Sequence, residues 1–311
     1  MTADRDAIAA AARCLKGGGL VAFPTETVYG LGADAANGEA VARLYAAKGR
    51  PAFNPLIAHV ANLEAARKLA RLSADAAKLA AAFWPGPLTL VLPKLPDCPV
   101  ADLALAGLDS VAVRVPAHPI AQALLAEFGG AVVAPSANRS GHVSPTSAQH
   151  VLADLRGRID MVIDGGPCPV GVESSIVSCL TEPTLLRPGG VARGDIERVL
   201  GHALTVAAPD EAPLAPGMLR SHYAPKARLR LDADAPRQGE ALLAFGPNAP
   251  QAATALNLSP RGDLIEAAAN LFSHLRALDA SGAASIAVMK VPREGLGEAI
   301  NDRLARAAAP R

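Results

Sequence analysis

Three short stretches combine charged or hydroxyl side chains with glycine and proline at points where strand-like runs end. They are residues 23–32 (FPTETVYGLG), residues 48–59 (KGRPAFNPLIAH) and residues 134–141 (APSANRSG). Ligand contacts in open α/β sheets concentrate where strands end and loops begin. The three stretches are therefore the candidates for chemistry in this chain.

Two pairs of side chains within these stretches have a spacing that suits nucleotide binding. Lys48 and Arg50 lie two residues apart, so on an extended segment they would share one face and form a cationic clamp for phosphate or bicarbonate. Ser136 and Asn138 have the same spacing and supply neutral hydrogen bonds that can orient a nucleotide. Each pair has a plainer alternative. Lys-x-Arg after a helix is more often a solvated charge pair, and Ser-x-Asn before glycine is more often turn chemistry.

The familiar phosphate-binding and nucleophile motifs do not occur in the sequence. There is no G-x-x-x-x-G-K-[ST] segment, so any ATP bound here is not held by a P-loop. The Gly30-Leu31-Gly32 segment lacks the third glycine of a dinucleotide fingerprint, and there is no G-x-S-x-G elbow. The four cysteines form no C-x-x-C pair, which argues against a zinc site. Residue spacing alone therefore does not define the reaction.

Length, composition and charge limit the fold and the partners. At 311 residues the chain exceeds a typical single domain, and 50% of its residues are hydrophobic while 19% are charged. This balance is typical of a folded protein. The formal net charge of +1 gives no global attraction to nucleic acid, and no apolar run reaches the roughly 18 residues of a membrane span. We therefore expect a cytoplasmic protein that makes no use of a membrane.

The elements that must position the three stretches alternate along the first two thirds of the chain. Apolar runs predict strands at residues 20–23, 55–60, 88–93, 111–115, 131–134, 161–164 and 175–179. Helical periodicity predicts helices at residues 5–15, 41–45, 63–69, 74–83, 119–127, 147–155 and 195–200. This succession predicts an α/β domain with a twisted mixed sheet over residues 1–206.

Composition changes after residue 206. Residues 207–232 are rich in proline and lack periodicity, so we expect a linker. A smaller Rossmann-like domain is expected over residues 233–311. Its strand, helix, strand and helix patterns fall at residues 241–245, 264–278, 286–291 and 296–307.

Five motifs together resemble the YrdC-type L-threonylcarbamoyladenylate synthase family. In matching order they are PTETVYGLG, AKGRPxxNPL, WPGPLT, VAVRVP and PSANxSG, and they cover roughly residues 18–201. One such motif is a weak indication, whereas five in register are specific. A later SHYAP at residues 221–225, followed by the Rossmann-like pattern, resembles the longer two-domain members, in which the linker folds over the active-site cleft. The resemblance thus predicts a mobile lid around residues 221–225.

The resemblance implies an enzyme that joins ATP, bicarbonate and L-threonine. The amine of threonine would attack the bicarbonate-derived carbon, and the carbamate oxygen would then attack the α-phosphate of ATP and expel pyrophosphate. Such chemistry requires aligned reactants, neutralised charge and exclusion of water. The implied cofactor is Mg²⁺ that arrives with ATP, without a metal site made by the protein alone. Downstream proteins would transfer the threonylcarbamoyl group to the adenosine next to the tRNA anticodon.

The resemblance also implies the site residues, at the positions of this sequence that match the family. The resemblance assigns contacts with L-threonine to Thr27, His59, Arg114 and Ser174. It assigns contacts with ATP to Arg50, Asn54, Ser110, Ser136, Asn138, Ser144, Arg187 and Tyr223. A cationic catalytic role beside bicarbonate and phosphate falls to Lys48 and Arg50. At Ala134 many relatives have a hydroxyl residue, so one threonine contact is either missing or made by the backbone.

Two other functions stay open on the sequence alone. An RNA-binding module without ATP turnover would use the cationic cleft of the same fold, although 3% aromatic residues leave few platforms for stacking single-stranded RNA. A carbamoyl-transfer domain of the hydrogenase-maturation type belongs to longer chains with zinc fingers. His59 could also be a satisfied core histidine and His222 a structural linker residue. Direct contact with tRNA is left open.

Overall fold

The computed structural model describes residues 4–206 and 222–310. Within them, the N-terminal part of the chain forms a ten-stranded mixed sheet, whose order is β10-β9-β8-β4-β5-β3-β6-β2-β1-β7. Its strands are β1 (Val21–Phe23), β2 (Gly30–Asp34), β3 (Ile57–His59), β4 (Leu88–Pro93), β5 (Ser110–Arg114), β6 (Val132–Val133), β7 (Met161–Val162), β8 (Ser175–Ser178), β9 (Thr184–Arg187) and β10 (Thr205–Val206). The predicted α/β fold with a mixed sheet is confirmed.

Helices flank this sheet, and local chemistry sets their ends. They are α1 (Arg5–Lys16), α2 (Gly38–Lys48), α3 (Leu63–Arg67), α4 (Ala74–Phe83), α5 (Asp102–Leu105), α6 (Pro119–Phe128), α7 (Ala148–Leu155) and α8 (Arg193–Leu200). The carboxylate of Asp4 accepts a hydrogen bond from the Ala7 amide and begins α1. Gly49, at φ 60°, ends α2 in the left-handed conformation that glycine adopts without strain. That end of α2 delivers the second candidate stretch to the site.

Strand β2 was missed by the pattern because it contains glycines, which weaken strand propensity. In the structure Gly32 pairs with Val21 of β1. A Cβ atom at Gly32 would lie 2.9 Å from side-chain carbons of both Phe23 and Val132. Glycine is therefore required here for close approach of neighbouring side chains, and the strand follows from tertiary packing.

The C-terminal part of the chain forms a separate four-stranded sheet in residues 222–310. All of its strand pairs are parallel, and their order is β11-β14-β12-β13. The elements are β11 (Arg228–Arg230), β12 (Ala241–Ala244), β13 (Ala255–Asn257), α9 (Leu264–Ala280), β14 (Ser285–Val288) and α10 (Gly297–Ala308). This agrees with the expected Rossmann-like pattern, to which the structure adds β11 and β13.

The two sheets are joined by an apolar contact. Val28, Val143 and Val172 from the N-terminal part belong to the same buried cluster as the core of the C-terminal part. Gly171 lies against α9, and a Cβ atom there would come within 2.4 Å of the Ala268 carbonyl oxygen. The ion pair between Arg193 and Glu298 links α8 to α10 nearby. The C-terminal sheet therefore packs directly on the part of the chain that carries the motifs.

Most of the expected linker, residues 207–221, lies outside the described residues, and so does Ser221 of the SHYAP segment. Its last part, from His222, is described. None of the helices in the two described ranges combines the length and the apolar character needed to cross a bilayer.

Candidate active site

A small cavity forms where the three candidate stretches meet. Its lining comes from the loop after β1, the ends of β3 and β5, the loop after β6, the segment before β8, the end of β9 and the described part of the linker. The lining residues are Thr27, Val28, Arg50, Ile57, His59, Arg114, Ala134, Pro135, Ser136, Glu173, Ser174, Arg187, His222 and Tyr223. The free volume is about 40 Å³, far below the several hundred Å³ typical of a ligand pocket. The described conformation therefore leaves little free space for a ligand.

Lys48 and Arg50 do not form the clamp on an extended segment that their spacing suggested. Lys48 is the last residue of α2, and the left-handed Gly49 turns the chain between the two side chains. Both cations are buried, with exposed fractions of 2% and 9%, so the alternative of a solvated charge pair is also wrong. Of the two, Arg50 lines the cavity, and Lys48 lies behind it.

Lys48 holds the loop that carries Ser136 and Asn138. Its Nζ donates to the carbonyl oxygens of Ser136 and Asn138, each at 2.5 Å. The Lys48 carbonyl accepts a hydrogen bond from the Ser140 amide at 2.8 Å. Burial, with a contribution from the nearby Arg50, lowers the pKa of the Lys48 ammonium well below its ordinary value. In this structure Lys48 thus fixes loop geometry and contacts the cavity wall from behind.

Arg50 is held by backbone oxygens of the next turn. Its Nη2 donates to the carbonyls of Asn54 at 3.3 Å and Pro55 at 3.1 Å, and burial lowers its pKa to about 10. The side-chain Oδ1 atoms of Asn54 and Asn138 are buried without a hydrogen-bond partner among the described residues. Because buried acceptors are normally satisfied, these two atoms are suited to a ligand.

Arg187, the last residue of β9, supplies a second cation at the cavity. Its Nη2 donates to the Ser174 carbonyl at 2.9 Å and to Ser174 Oγ at 3.3 Å. The Ser174 hydroxyl also pairs with Thr89 Oγ1 at 2.8 Å. Burial lowers the pKa of Arg187 from its ordinary value. These contacts fix Ser174 and Arg187 as one unit on the cavity wall.

Arg114 and Glu26 form a buried ion pair at the other side of the cavity. Arg114 Nη2 donates to Glu26 Oε1 at 2.6 Å, and Arg114 Nε donates to the Gly86 carbonyl at 3.3 Å. The second Glu26 oxygen accepts from the Ala117 amide. Burial alone would raise the pKa of Glu26, but Arg114 outweighs it and the pKa is lowered. The edge of the Arg114 guanidinium group that carries Nε and Nη2 is thus occupied, which leaves Nη1 for an anionic ligand.

Thr27 and His59 flank this ion pair. His59 of β3 stands in register with Arg114 of the parallel β5, and its Nδ1 lies 3.1 Å from the Ile57 carbonyl. Burial, and then Arg114, lower the pKa of His59 to about 3, so the ring is neutral at physiological pH. The Thr27 hydroxyl pairs with Thr25 Oγ1 at 2.8 Å. The alternative that His59 is a satisfied core histidine holds only in part. A backbone contact satisfies one ring nitrogen, but the ring also lines the cavity.

The described part of the linker lines the cavity with His222 and Tyr223. Tyr223 adopts a left-handed φ of 62° and is 1% exposed. Its ring stacks on Phe272 of α9 at 5.6 Å between centroids and meets the His222 ring edge-on at 4.3 Å. Burial lowers the pKa of His222 to about 3. His222, expected as a structural linker residue, also forms part of the cavity wall.

The structure brings most of the sequence-predicted residues to one cavity. Those that line it are Thr27, His59, Arg114, Ser174, Arg50, Ser136, Arg187 and Tyr223. The other five are buried but do not line the cavity, and they are Lys48, Asn54, Ser110, Asn138 and Ser144. Ala134, where the family pattern is broken, does line the cavity with a side chain that carries no hydroxyl group.

Two acidic residues at the site were not assigned a role from the sequence. Glu26 stands inside the first motif, so its presence was visible but its pairing with Arg114 was not. Glu173 lines the cavity and accepts a hydrogen bond from Ser144 Oγ at 2.5 Å. Its other oxygen binds Arg303 of α10 at 2.7 Å. Both carboxylates are thus paired with arginines, and two further arginines, Arg50 and Arg187, line the same cavity.

Comparisons with known proteins identify the family of this chain. Residues 13–189 match the Sua5/YciO/YrdC family, described as "Telomere recombination", and residues 191–309 match the family "Threonylcarbamoyl-AMP synthase, C-terminal domain". The chain is 41% identical to the threonylcarbamoyl-AMP synthase of Bacillus subtilis, over 98% of this chain and 93% of that protein. It is 44% identical to that of Pyrococcus abyssi, over 97% and 94%.

Solved structures show the same architecture. The crystal structure of P. abyssi Sua5 in complex with L-threonine superposes with a TM-score of 0.89 at 42% identity, over 97% of this chain and 94% of that one. Escherichia coli YciO, at 22% identity and a TM-score of 0.55 over 61% of this chain, shares the fold of the N-terminal part. Fold and site together define a YrdC-type α/β enzyme of the nucleotidyltransferase kind. The chain belongs to the threonylcarbamoyl-AMP synthase family, in its longer Sua5 form with both domains.

Proposed function

We propose that this protein forms threonylcarbamoyl-AMP and pyrophosphate from L-threonine, bicarbonate and ATP. The observation that carries the proposal is the placement of two different anion-binding groups in one closed cavity. Arg114, oriented by Glu26, lies on one side, and Arg50 and Arg187 line the same cavity. Two substrates bound to these groups would meet with their reactive ends together, which is the main requirement of this reaction.

The side with Arg114 is suited to L-threonine. The free Nη1 of Arg114 would pair with the carboxylate of the amino acid. Thr27, His59 and Ser174 offer neutral hydrogen-bonding groups around it. Because the lowered pKa keeps His59 neutral, its ring would contact threonine through a hydrogen bond and not through charge. We propose these four residues as the threonine-binding set, with the backbone at Ala134 in place of the missing hydroxyl.

The side with Arg50 and Arg187 is suited to ATP. Their guanidinium groups would neutralise phosphate oxygens and the charge that develops as pyrophosphate leaves. Lys48 would contribute by fixing the loop with Ser136 and Asn138, which orients the nucleotide through neutral contacts. The remaining residues that we propose for the nucleotide are Asn54, Ser110, Ser144 and Tyr223.

We propose Mg²⁺ as the ion that accompanies the triphosphate. The described residues contain no group of three or more histidine, cysteine or acidic side chains that could hold a metal, so the ion would bind mainly through phosphate oxygens. The Oδ1 atoms of Asn54 and Asn138 are buried without a hydrogen-bond partner among the described residues, but neither residue lines the cavity. When bound, the ion would supply further neutralisation of phosphate charge.

Closure by His222 and Tyr223 would protect a labile intermediate. A free volume of about 40 Å³ cannot contain ATP, so we propose that this segment opens for the nucleotide and closes over it. A closed site excludes water, which strengthens the electrostatic interactions and protects the carbamate from side reactions. We further propose that the enzyme acts in the cytoplasm, where ATP and tRNA are available, and delivers its product to proteins that modify tRNA.

Coupled substrate dependence tests the proposed function. The purified protein is incubated with ATP, bicarbonate and labelled L-threonine, and both pyrophosphate and a threonine-containing adenylate are measured. We expect pyrophosphate release only when threonine and bicarbonate are both present. Release at the same rate without threonine would refute the proposal. Salt-dependent RNA binding without any turnover would instead favour the RNA-binding module.

A further inference from the structure

Arg303 of α10 reaches from the C-terminal sheet to the wall of the cavity. Its side chain is fully buried. Its Nε donates to Glu173 Oε2 at 2.7 Å, and its Nη1 donates to Asp302 Oδ2 at 2.6 Å. The guanidinium carbon lies 5.2 Å from the centroid of the Tyr223 ring, within the range of a cation–π contact. Arg303 thus contacts two residues that line the cavity, although no residue of α10 lines it.

Glu173 places a negative charge on the cavity wall, and Arg303 lies where it can neutralise that charge. Glu173 is 7% exposed and faces a cavity otherwise suited to a triphosphate. Burial would raise its pKa, but Arg303 and then Arg187 outweigh burial and the pKa is lowered, so the carboxylate is charged. An uncompensated carboxylate in a low-dielectric cavity would repel the phosphates. It would also compete for Arg187, which the nucleotide needs.

We propose that Arg303 is a positioning residue for nucleotide binding, which neutralises Glu173 from the neighbouring domain so that the cavity accepts a triphosphate. The proposal rests on ATP being a substrate, as set out above. It gives the C-terminal domain a part in the active site that is electrostatic and acts through Glu173. The cation–π contact with Tyr223 adds a second link between α10 and the closing segment.

A simpler role for Arg303 would be to hold the two domains together. The chain offers a matched control for that role. Arg193 of α8 binds Glu298 of the same helix α10, and both residues lie away from the cavity lining. Removing Arg193 breaks an ion pair between the domains without changing the charge of Glu173. An effect specific to Arg303 is therefore separable from an effect of weakened docking.

The experiment compares Arg303→Met, Glu173→Gln, the double variant and Arg193→Met with the unchanged chain. The Kd of a non-hydrolysable ATP analogue is measured by calorimetry, together with the KM for ATP and kcat from threonine-dependent pyrophosphate release. We expect Arg303→Met to raise Kd and KM on the order of tenfold or more, because it leaves a buried charge unpaired. We expect kcat to change much less, and Arg193→Met to bind within about twofold of the unchanged chain.

The double variant decides the question. If Arg303 acts by neutralising Glu173, then Arg303→Met combined with Glu173→Gln should bind the analogue as Glu173→Gln does alone, since no charge is left to neutralise. If the double variant still binds on the order of tenfold more weakly than Glu173→Gln, the proposal is wrong.

Folding is measured for every variant by thermal unfolding. If Arg303→Met does not fold, the double variant should recover folding, because the unpaired charge has been removed; a double variant that stays unfolded would also overturn the proposal. Equal losses of analogue binding in Arg193→Met and Arg303→Met would mean that Arg303 only holds the two domains together, and this would overturn the proposal. Analogue binding is independent of turnover, so a failure to form the threonine adenylate would refute the proposed function without deciding the role of Arg303.

Discussion

Replacing Lys48 by methionine distinguishes a residue that holds a loop from one that holds a substrate. Methionine keeps most of the length of the lysine stem and removes the ammonium group. In the structure that group donates to the carbonyls of Ser136 and Asn138, at 2.5 Å each. The variant would therefore leave the Asn138 carbonyl without this donor and the Ser136 carbonyl with the Asn138 amide alone, at 3.0 Å, at a position that is 2% exposed.

The expected loss of stability follows from these contacts. Hydrogen bonds to a charged group contribute about 1.5–3 kcal/mol each. Part of that gain offsets the cost of burying the ammonium, a cost that is visible in its lowered pKa. We therefore expect Lys48→Met to reduce the free energy of unfolding by about 2–4 kcal/mol. The looser loop should also weaken binding of an ATP analogue by about tenfold, because Ser136 and Asn138 lose their fixed positions.

Urea unfolding at pH 7.5 and calorimetric binding of the analogue measure the two effects. Lys94→Met is the control, since Lys94 pairs with the fully exposed Asp109 at 3.7 Å, and such a pair contributes at most about 1 kcal/mol. If Lys48→Met is as stable as the control variant yet loses activity, then Lys48 acts on the substrates directly and the loop-holding role is refuted.

Two further predictions concern Glu26 and the buried histidines. Glu26→Gln should raise the KM for L-threonine by about tenfold, because it releases Arg114 from its charged partner. The KM for ATP should stay within about twofold. Equal effects on the two KM values would contradict the proposal that the two substrates bind on separate sides of the cavity. The pKa values of His59 and His222 are both lowered to about 3 by burial, so the unfolded chain binds protons that the folded chain excludes. The free energy of unfolding should therefore fall as the pH drops from about 6.5 towards 3, by up to about 1.4 kcal/mol per pH unit for each histidine. Urea unfolding midpoints between pH 4.5 and 7 measure how the free energy of unfolding depends on pH, and His59→Gln should reduce this dependence. Unfolding midpoints that do not change with pH in the unchanged chain would refute the prediction.

The large elements of the fold could be predicted because their patterns are local. The buried runs at β4 and β8 and the periodic helix α9 appear in the sequence as they do in the structure. Strand β2 could not be found this way, because its glycines oppose strand formation and only contact with Phe23 and Val132 explains them. Short edge strands such as β10, with two residues, carry too little pattern to be recognised.

The candidate site also has features that the sequence could predict and features that it could not. The family resemblance gave eight of the residues that line the cavity, including Arg114 and Arg187. The clamp predicted for Lys48 and Arg50 on an extended segment was wrong, because a single left-handed residue, Gly49, changes the direction of the chain between them. The link between Glu173 and Arg303 spans 130 residues, so no spacing rule could have predicted it. Pairings between distant residues depend on how the domains dock.

The shared apolar cluster has a consequence for synthesis on the ribosome. Val28, Val143 and Val172 complete the core around α9, and Gly171 allows α9 to approach the backbone. These four residues leave the ribosome well before α9 and α10 do, because synthesis proceeds from the N-terminus. The N-terminal sheet can therefore be in place as a template when the C-terminal sheet emerges. Nascent chains that end before α10 would expose part of this apolar surface and would be the ones most in need of chaperones.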